Sequence, residues 1–158
     1  MIVATVILIF SAALFCFYFQ ITCQKILRRQ FDREYFQSIA SANRLEFLSL
    51  REMLEGLGKP AARSLLRQAL KCDFLALTYL LKNAANQNRR YAGEERFLIL
   101  YFRWQFLSLA MRRLLGMSDD RVILRLTSVL QYFANVVGQR VEAVKFANLA
   151  AAEFPLSF

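Results

Sequence analysis

The chain has 158 residues, 57% of them hydrophobic and 21% charged, with a formal net charge of +9 and no histidine. That length corresponds to about one domain, and the apolar share exceeds the roughly 45–50% of soluble domains. Without histidine the commonest metal ligand and general base is missing, and no P-loop, dinucleotide fingerprint, G-x-S-x-G elbow or C-x-x-C pair occurs.

Residues 1–24 contain no Lys, Arg, Asp or Glu, and residues 2–19 read IVATVILIFSAALFCFYF. A bilayer core about 30 Å thick needs roughly 20 apolar residues at 1.5 Å rise each, so this stretch is expected to be a single transmembrane helix. A cleaved secretory signal would show a basic start, a shorter apolar core and a small-residue cleavage site. Only the terminal amine is basic here, and Tyr18, Phe19, Gln20, Ile21 and Thr22 follow the core. An uncleaved signal-anchor is the expectation. Lys25, Arg28, Arg29 and Arg33 come directly after it. By the positive-inside rule the N-terminus is expected outside and the C-terminal domain in the cytoplasm, with these four cations touching anionic lipid headgroups.

The anchor is expected to continue as one helix to about Gln37, because no Gly or Pro interrupts it. Residues 38–43 are small and polar and read as a break, with Asn43 and Glu46 resembling a capping box. A second helix is expected over 44–55. Gly56, Gly58 and Pro60 then punctuate the chain, Pro60 suiting the first turn of a third helix over 60–86. Arg63, Arg67 and Lys71 recur at four-residue spacing and read as a solvated basic stripe. Residues 83–93 are the longest polar interruption and read as a loop.

Glu94 and Glu95 open a fourth helix, their charges suited to its positive end. It is apolar nearly all round, the pattern of a helix central to the core. A second membrane span is disfavoured by Arg103 at its middle. Phe97, Tyr101, Trp104, Leu107 and Met111 form a face read either as core or as a partner-binding surface. Asp119 and Asp120 begin a fifth helix expected to end at Val137, where Gly138 and Gln139 break it, and a sixth runs from 140 to 153 before Pro155. Cys16 and Cys72 read as small buried hydrophobes, and Cys23 stands where a juxtamembrane acylation would occur.

The segment 124–155, ending VVGQRVEAVKFANLAAAEFP, resembles a single tetratricopeptide hairpin. Leu130 matches the packing leucine, Gly138 the turn glycine, Glu142 and Ala143 the start of the second helix, Ala150 the crossing residue and Pro155 the closing proline. Thr127, Gln131 and Ala134 depart from the pattern, and no second copy is found about 34 residues upstream. The resemblance implies a helical surface that binds protein.

The fold class expected is therefore all-α: an N-terminal transmembrane helix continuing into a cytoplasmic α-helical hairpin bundle or short tetratricopeptide-like solenoid. The domains are an anchor at 1–24, a juxtamembrane helix and break at 25–43, and a helical domain at 44–158. Carboxylates such as Asp32, Glu34, Glu46 and Glu52 sit at helix starts or beside cations, as capping and solvation require. No enzyme, metal or cofactor is expected. The function expected is a membrane-anchored scaffold that binds a protein partner. The alternatives are an accessory subunit of a larger integral membrane complex, and a basic domain that binds anionic lipid or nucleic acid, with nucleic acid disfavoured.

Overall fold

The computed structural model describes residues 1–29, 31, 34–49, 60–84, 93–115 and 120–153, and among them the fold is all-α, with no strand. The helices are α1 (Ile2–Leu27), α2 (Phe36–Ala42), α3 (Pro60–Asn83), α4 (Gly93–Leu114) and α5 (Asp120–Glu153). Residues 47–49 form a further helical turn. At 1.5 Å per residue the 34 residues of α5 extend about 51 Å. Helices α2, α3 and α4 all pack against α5.

The periodicity of α3 explains its docking. Leu66, Leu70, Phe74, Leu77 and Leu81 fall on one side at helical spacing, and all are buried. They meet Leu126, Val129, Leu130, Phe133 and Val137 of α5 in one core, joined by Leu98, Tyr101, Phe102 and Leu109 of α4. Each such side chain contributes about 1.5–3 kcal/mol by leaving water. Phe74 and Phe102 stack with ring centroids 4.0 Å apart, and Arg67 donates to the Leu109 carbonyl at 2.8 Å. These two contacts join α3 to α4. Lys71 is exposed, but Arg67 is not simply solvated as the stripe reading expected. Arg63 lies among residues whose side chains are outside the described set.

The central helix is α5, not α4. Leu126, Val129, Leu130, Phe133, Ala134 and Val137 are buried on one side of it, and Thr127, Asn135 and Tyr132 are buried on the others. In α4, by contrast, Phe97, Leu100, Trp104, Leu107 and Met111 are exposed. Composition alone made α4 look all-round apolar; only its neighbours decide which side is covered.

Gly138 does not break the chain. Helix α5 runs through it without interruption, so of the two-helix hairpin expected over 124–155 the described part, to Glu153, is one helix without the expected turn at Gly138. The reason is tertiary. A Cβ on Gly138 would fall on the Cβ and Cγ of Tyr35, well inside van der Waals contact. The glycine is a notch into which the chain at Tyr35 descends. One turn earlier on the same face, Asn135 Oδ1 accepts from the backbone amides of Tyr35 and Phe36, each at 2.8 Å. One turn later the Tyr35 hydroxyl donates to Glu142. Positions 135, 138 and 142 share a face because three- and four-residue steps do so on a helix.

The same contacts explain why α1 stops early. It ends at Leu27, with the Arg28 amide bonded to the Gln24 carbonyl and the Arg29 amide to that of Ile26, each at 3.1 Å, rather than continuing to Gln37. Amides at 35 and 36 bonded to Asn135 cannot also bond to a preceding turn. Phe31 meanwhile packs edge-on against Tyr132, centroids 5.3 Å apart. The polar stretch expected as a break forms α2, whose Ala40 is buried. Asn43 caps nothing downstream: its side-chain amide donates back to the Ile39 carbonyl at 2.8 Å. Arg44 then adopts a left-handed φ of 52°, which turns the chain.

The turn at 47–49 is capped from another helix. Asp73 of α3 accepts from the amides of Glu46 and Phe47 through Oδ2, at 2.9 and 2.7 Å. These are the orphan donors that a helix start leaves unpaired. Burial pushes the Asp73 carboxyl above its ordinary range, and the two amides pull it partly back. Phe47 beside it is fully buried. The remainder of the helix expected over 44–55, the punctuation at 56–59 and most of the loop at 83–93 lie outside the described residues.

Two substitutions test this arrangement, both read by chemical denaturation of the full chain in mild detergent. Gly→Ala inside a helix ordinarily gains about 0.8–1.0 kcal/mol. Gly138→Ala instead lowers stability, by about 1–3 kcal/mol for an overfilled site, because Tyr35 occupies the space; a gain in stability would contradict the notch. Asp73→Ala removes both caps and costs about 2 kcal/mol, whereas Asp73→Asn keeps an acceptor and costs much less. Because the folded carboxyl pKa is raised, the protonated side chain's contribution is complete below the ordinary carboxylate range. It is lost as pH rises through the raised value. The difference between wild type and Asp73→Asn follows that curve.

Candidate functional site

Helix α1 is long and apolar enough to cross a membrane, and its apolar window is not buried within the fold. A signal sequence would meet the same test of length and composition. At about 39 Å for 26 residues, it exceeds a 30 Å hydrocarbon core by roughly two turns. Residues 1–18 are exposed along their whole length, small residues Ala4, Ser11, Ala12 and Ala13 included.

The last turns of α1 touch the domain. Phe19 lies 6.2 Å from the Phe97 ring and 6.3 Å from that of Tyr101. Cys23 is buried, with its Sγ 4.0 Å from the Phe97 carbonyl. As numbering rises along α1 it falls along the facing stretch of α4, so the two run antiparallel. The burial of Cys23 removes it as an acylation position, since an acyl transfer needs an accessible thiol. Cys72, expected to be buried, is exposed on α3, and Cys16 is exposed on α1. The spacing of cysteines in a sequence does not say which side of a helix another element covers.

The four cations expected to touch lipid after the apolar stretch do not act alike. Lys25 lies in the last turn of α1, where a positive charge suits the helix end, and Arg28 caps it. Both are exposed. Arg29 pairs with Glu94 at 3.2 Å across partly exposed surface. Tyr132 donates to the same carboxylate oxygen at 3.1 Å; burial and then the Glu94 charge hold its phenol up at about 12, so it stays a donor. Arg33 lies outside the described residues. Glu95, in the first turn of α4 as expected, is also buried in an ion pair with Arg140 of α5, whose guanidinium donates to the Leu81 carbonyl at 2.6 Å. One arginine thereby joins α5 to the start of α4 and the end of α3.

The face anticipated from Phe97 to Met111 divides. Tyr101 is 1% exposed and belongs to the core, while Phe97, Trp104, Leu107 and Met111 are each about half exposed, at 49%, 58%, 60% and 55%. Leu100 joins the exposed group at 58%. The exposed members recur every three or four residues and make one unbroken stripe along α4.

Between that stripe and α1 lies a cavity of about 460 Å³. Phe15, Cys16, Phe19 and Gln20 line it from α1, and Leu100, Tyr101, Trp104, Gln105, Ser108 and Arg112 from α4. Arg125 reaches it from α5. Gln105 is buried. Burial pushes the Tyr101 phenol up, and the neighbouring Arg125 guanidinium opposes that shift. No carboxylate is among the described lining residues. Neither the groove nor Arg125 was identifiable beforehand, because three separate helices build the site. Nothing at the groove offers a nucleophile beside a base, and no cluster of His, Cys, Asp or Glu with metal-holding geometry occurs among the described residues.

No family model, curated protein or solved structure matches this chain.

Proposed function

We propose that the protein is a non-enzymatic, membrane-anchored helical scaffold that docks a protein partner at the cytoplasmic face of a membrane. The observation that carries this reading is the exposed stripe Phe97, Leu107 and Met111 on α4, adjacent to the bare anchor. These side chains stay half exposed although the domain has a core of its own. A contiguous exposed apolar patch marks an interaction site more often than isolated apolar residues do. The anchor supports the location, and exposed Lys25 and Arg28 at its exit support the cytoplasmic orientation. An apolar helix of a membrane-associated protein fits such a stripe, as in other helix-on-groove recognition.

A second reading is an accessory subunit of a larger integral complex. The exposed small residues Ala4, Ser11, Ala12 and Ala13 of α1 favour it, since small residues let spanning helices approach closely.

Site-specific photocrosslinking in intact cells tests the first reading. A photoreactive residue at Leu107 is expected to give one discrete protein adduct, and the same probe at exposed Lys145 none. Met111→Glu in the same chain should reduce the adduct roughly tenfold or more, as loss of an interface anchor does. Lipid adducts alone at Leu107 would overturn the scaffold reading. A protein adduct that survives Met111→Glu but is lost on replacing the small residues of α1 would favour the second.

A further inference from the structure

The exposed stripe of α4 is spaced as an interhelical seam. Phe97, Leu100, Trp104, Leu107 and Met111 follow one another at steps of three and four residues, the seven-residue repeat by which one helix packs its side chains into another. Arg96 and Arg103 each directly precede a seam residue, Phe97 and Trp104, and so stand seven positions apart along one flank of the seam. The other flank, with Tyr101, Gln105 and Ser108, turns to the groove beside α1. Both arginines are exposed, and neither has an ion pair among the described residues. After Glu95, α4 carries no carboxylate at all. Charges that flank a seam set which partner it accepts.

We propose that the partner seated on this stripe is a membrane-spanning helix of another protein, carrying carboxylates that face Arg96 and Arg103. This deepens the scaffold reading and rests on it, and on α1 remaining in the bilayer. Depth points to the kind of helix. Phe19 meets Phe97, whereas Phe15 and Cys16 line the groove with Leu100 and Trp104. The stripe, about 21 Å long at 1.5 Å per residue, therefore runs from the exit of α1 back along α1 towards the bilayer. A helix that covers its whole length must itself enter the leaflet. Charge then decides between the occupants such a place allows. Acyl chains alone would leave Arg103 without a counter-charge, whereas ionisable groups at that depth pair with one another. A second copy of this chain would bring a face with the same two arginines and no carboxylate, and like charges across a seam repel. A spanning helix with acidic residues seven positions apart meets both the apolar seam and its arginines. The net charge of +9 draws a partner of the same sign.

Trp104 is the single tryptophan of the chain and lies in the seam, which makes it a local reporter. The full chain is reconstituted in phosphatidylcholine vesicles with a synthetic single-span helix that bears a dansyl acceptor. The helix has leucines at the same three- and four-residue steps and two flanking residues seven positions apart, made as Glu, Gln or Lys. Energy transfer from Trp104 is expected to be several-fold higher with the Glu helix than with the Gln helix, and lowest with the Lys helix. Arg96→Gln with Arg103→Gln should bring the Glu and Gln helices to parity, and Arg96→Glu with Arg103→Glu should turn the preference to Lys. Lys71→Gln with Lys82→Gln, two exposed cations of α3, should leave the Glu preference intact. Equal transfer to all three helices in the wild-type chain would overturn the proposal, as would a Glu preference that survives Arg96→Gln with Arg103→Gln. Stronger transfer to a dansyl-labelled second copy would make a copy the occupant. Quenching of Trp104 by brominated phosphatidylcholine that the Glu helix does not relieve would make it lipid. Either result overturns the proposal. The scaffold reading fails separately, on lipid adducts alone at Leu107 in cells; a protein adduct there with parity among the three helices removes only the acidic spanning partner.

Discussion

The side chain of Asn135 holds the backbone at Tyr35 and Phe36 against α5, and Gly138 leaves the space that this approach requires. Much of the arrangement depends on this one constraint. Buried or half-buried backbone amides must find acceptors, and here the acceptor belongs to a helix a hundred positions away. Asp73 repeats the device for Glu46 and Phe47. Two side chains on two different helices thus fix the same connecting segment at both ends. The long α5 is the element everything else leans on, and it can serve as such only because it continues straight through its glycine.

That constraint also determines where α1 stands. Since the chain must reach Tyr35 at the α5 surface, α1 ends at Leu27 and its exit lies against the start of α4. Cys23 is buried there, Phe19 meets Phe97 and Tyr101, and Arg29 pairs with Glu94. The surface pair is worth little by itself. The buried contacts do more, because they keep the apolar stripe of α4 beside α1. The proposed scaffold rests on that juxtaposition: Leu107 and Met111 lie outside the groove lining, while Leu100 and Trp104 form one of its walls.

Local chemistry made a good part of the fold legible in the sequence. Uncharged length marked α1, Pro60 the start of α3, and Glu94 with Glu95 the start of α4. The readings that depended on distant partners went astray. Gly138 looked like a stop because glycine usually is one, yet the missing Cβ serves a neighbour that sequence spacing cannot reveal. Residues 38–43 looked like a break because their own propensity is weak, and α2 forms there while packed against α5 with a trans cap. The α4 face was read as one unit because Phe97, Tyr101, Trp104, Leu107 and Met111 share a helical side; α1 and α5 cover Tyr101 and leave the others open. Arg125 carries no motif at all, and only the meeting of three helices brings it beside Tyr101.

Hydrogen exchange at the amides of Tyr35, Phe36, Glu46 and Phe47, measured on the full chain in bilayer discs, reports whether Asn135 and Asp73 hold this segment in place. Amides held by Asn135 and Asp73 open only when the segment leaves α5 and α3, so they should exchange nearly as slowly as core amides of α5 around Leu130. Exchange at the rate of an unprotected turn, with the α5 core still protected, would contradict the account. It would mean that the connection between α1 and the rest of the fold is not held by these two side chains.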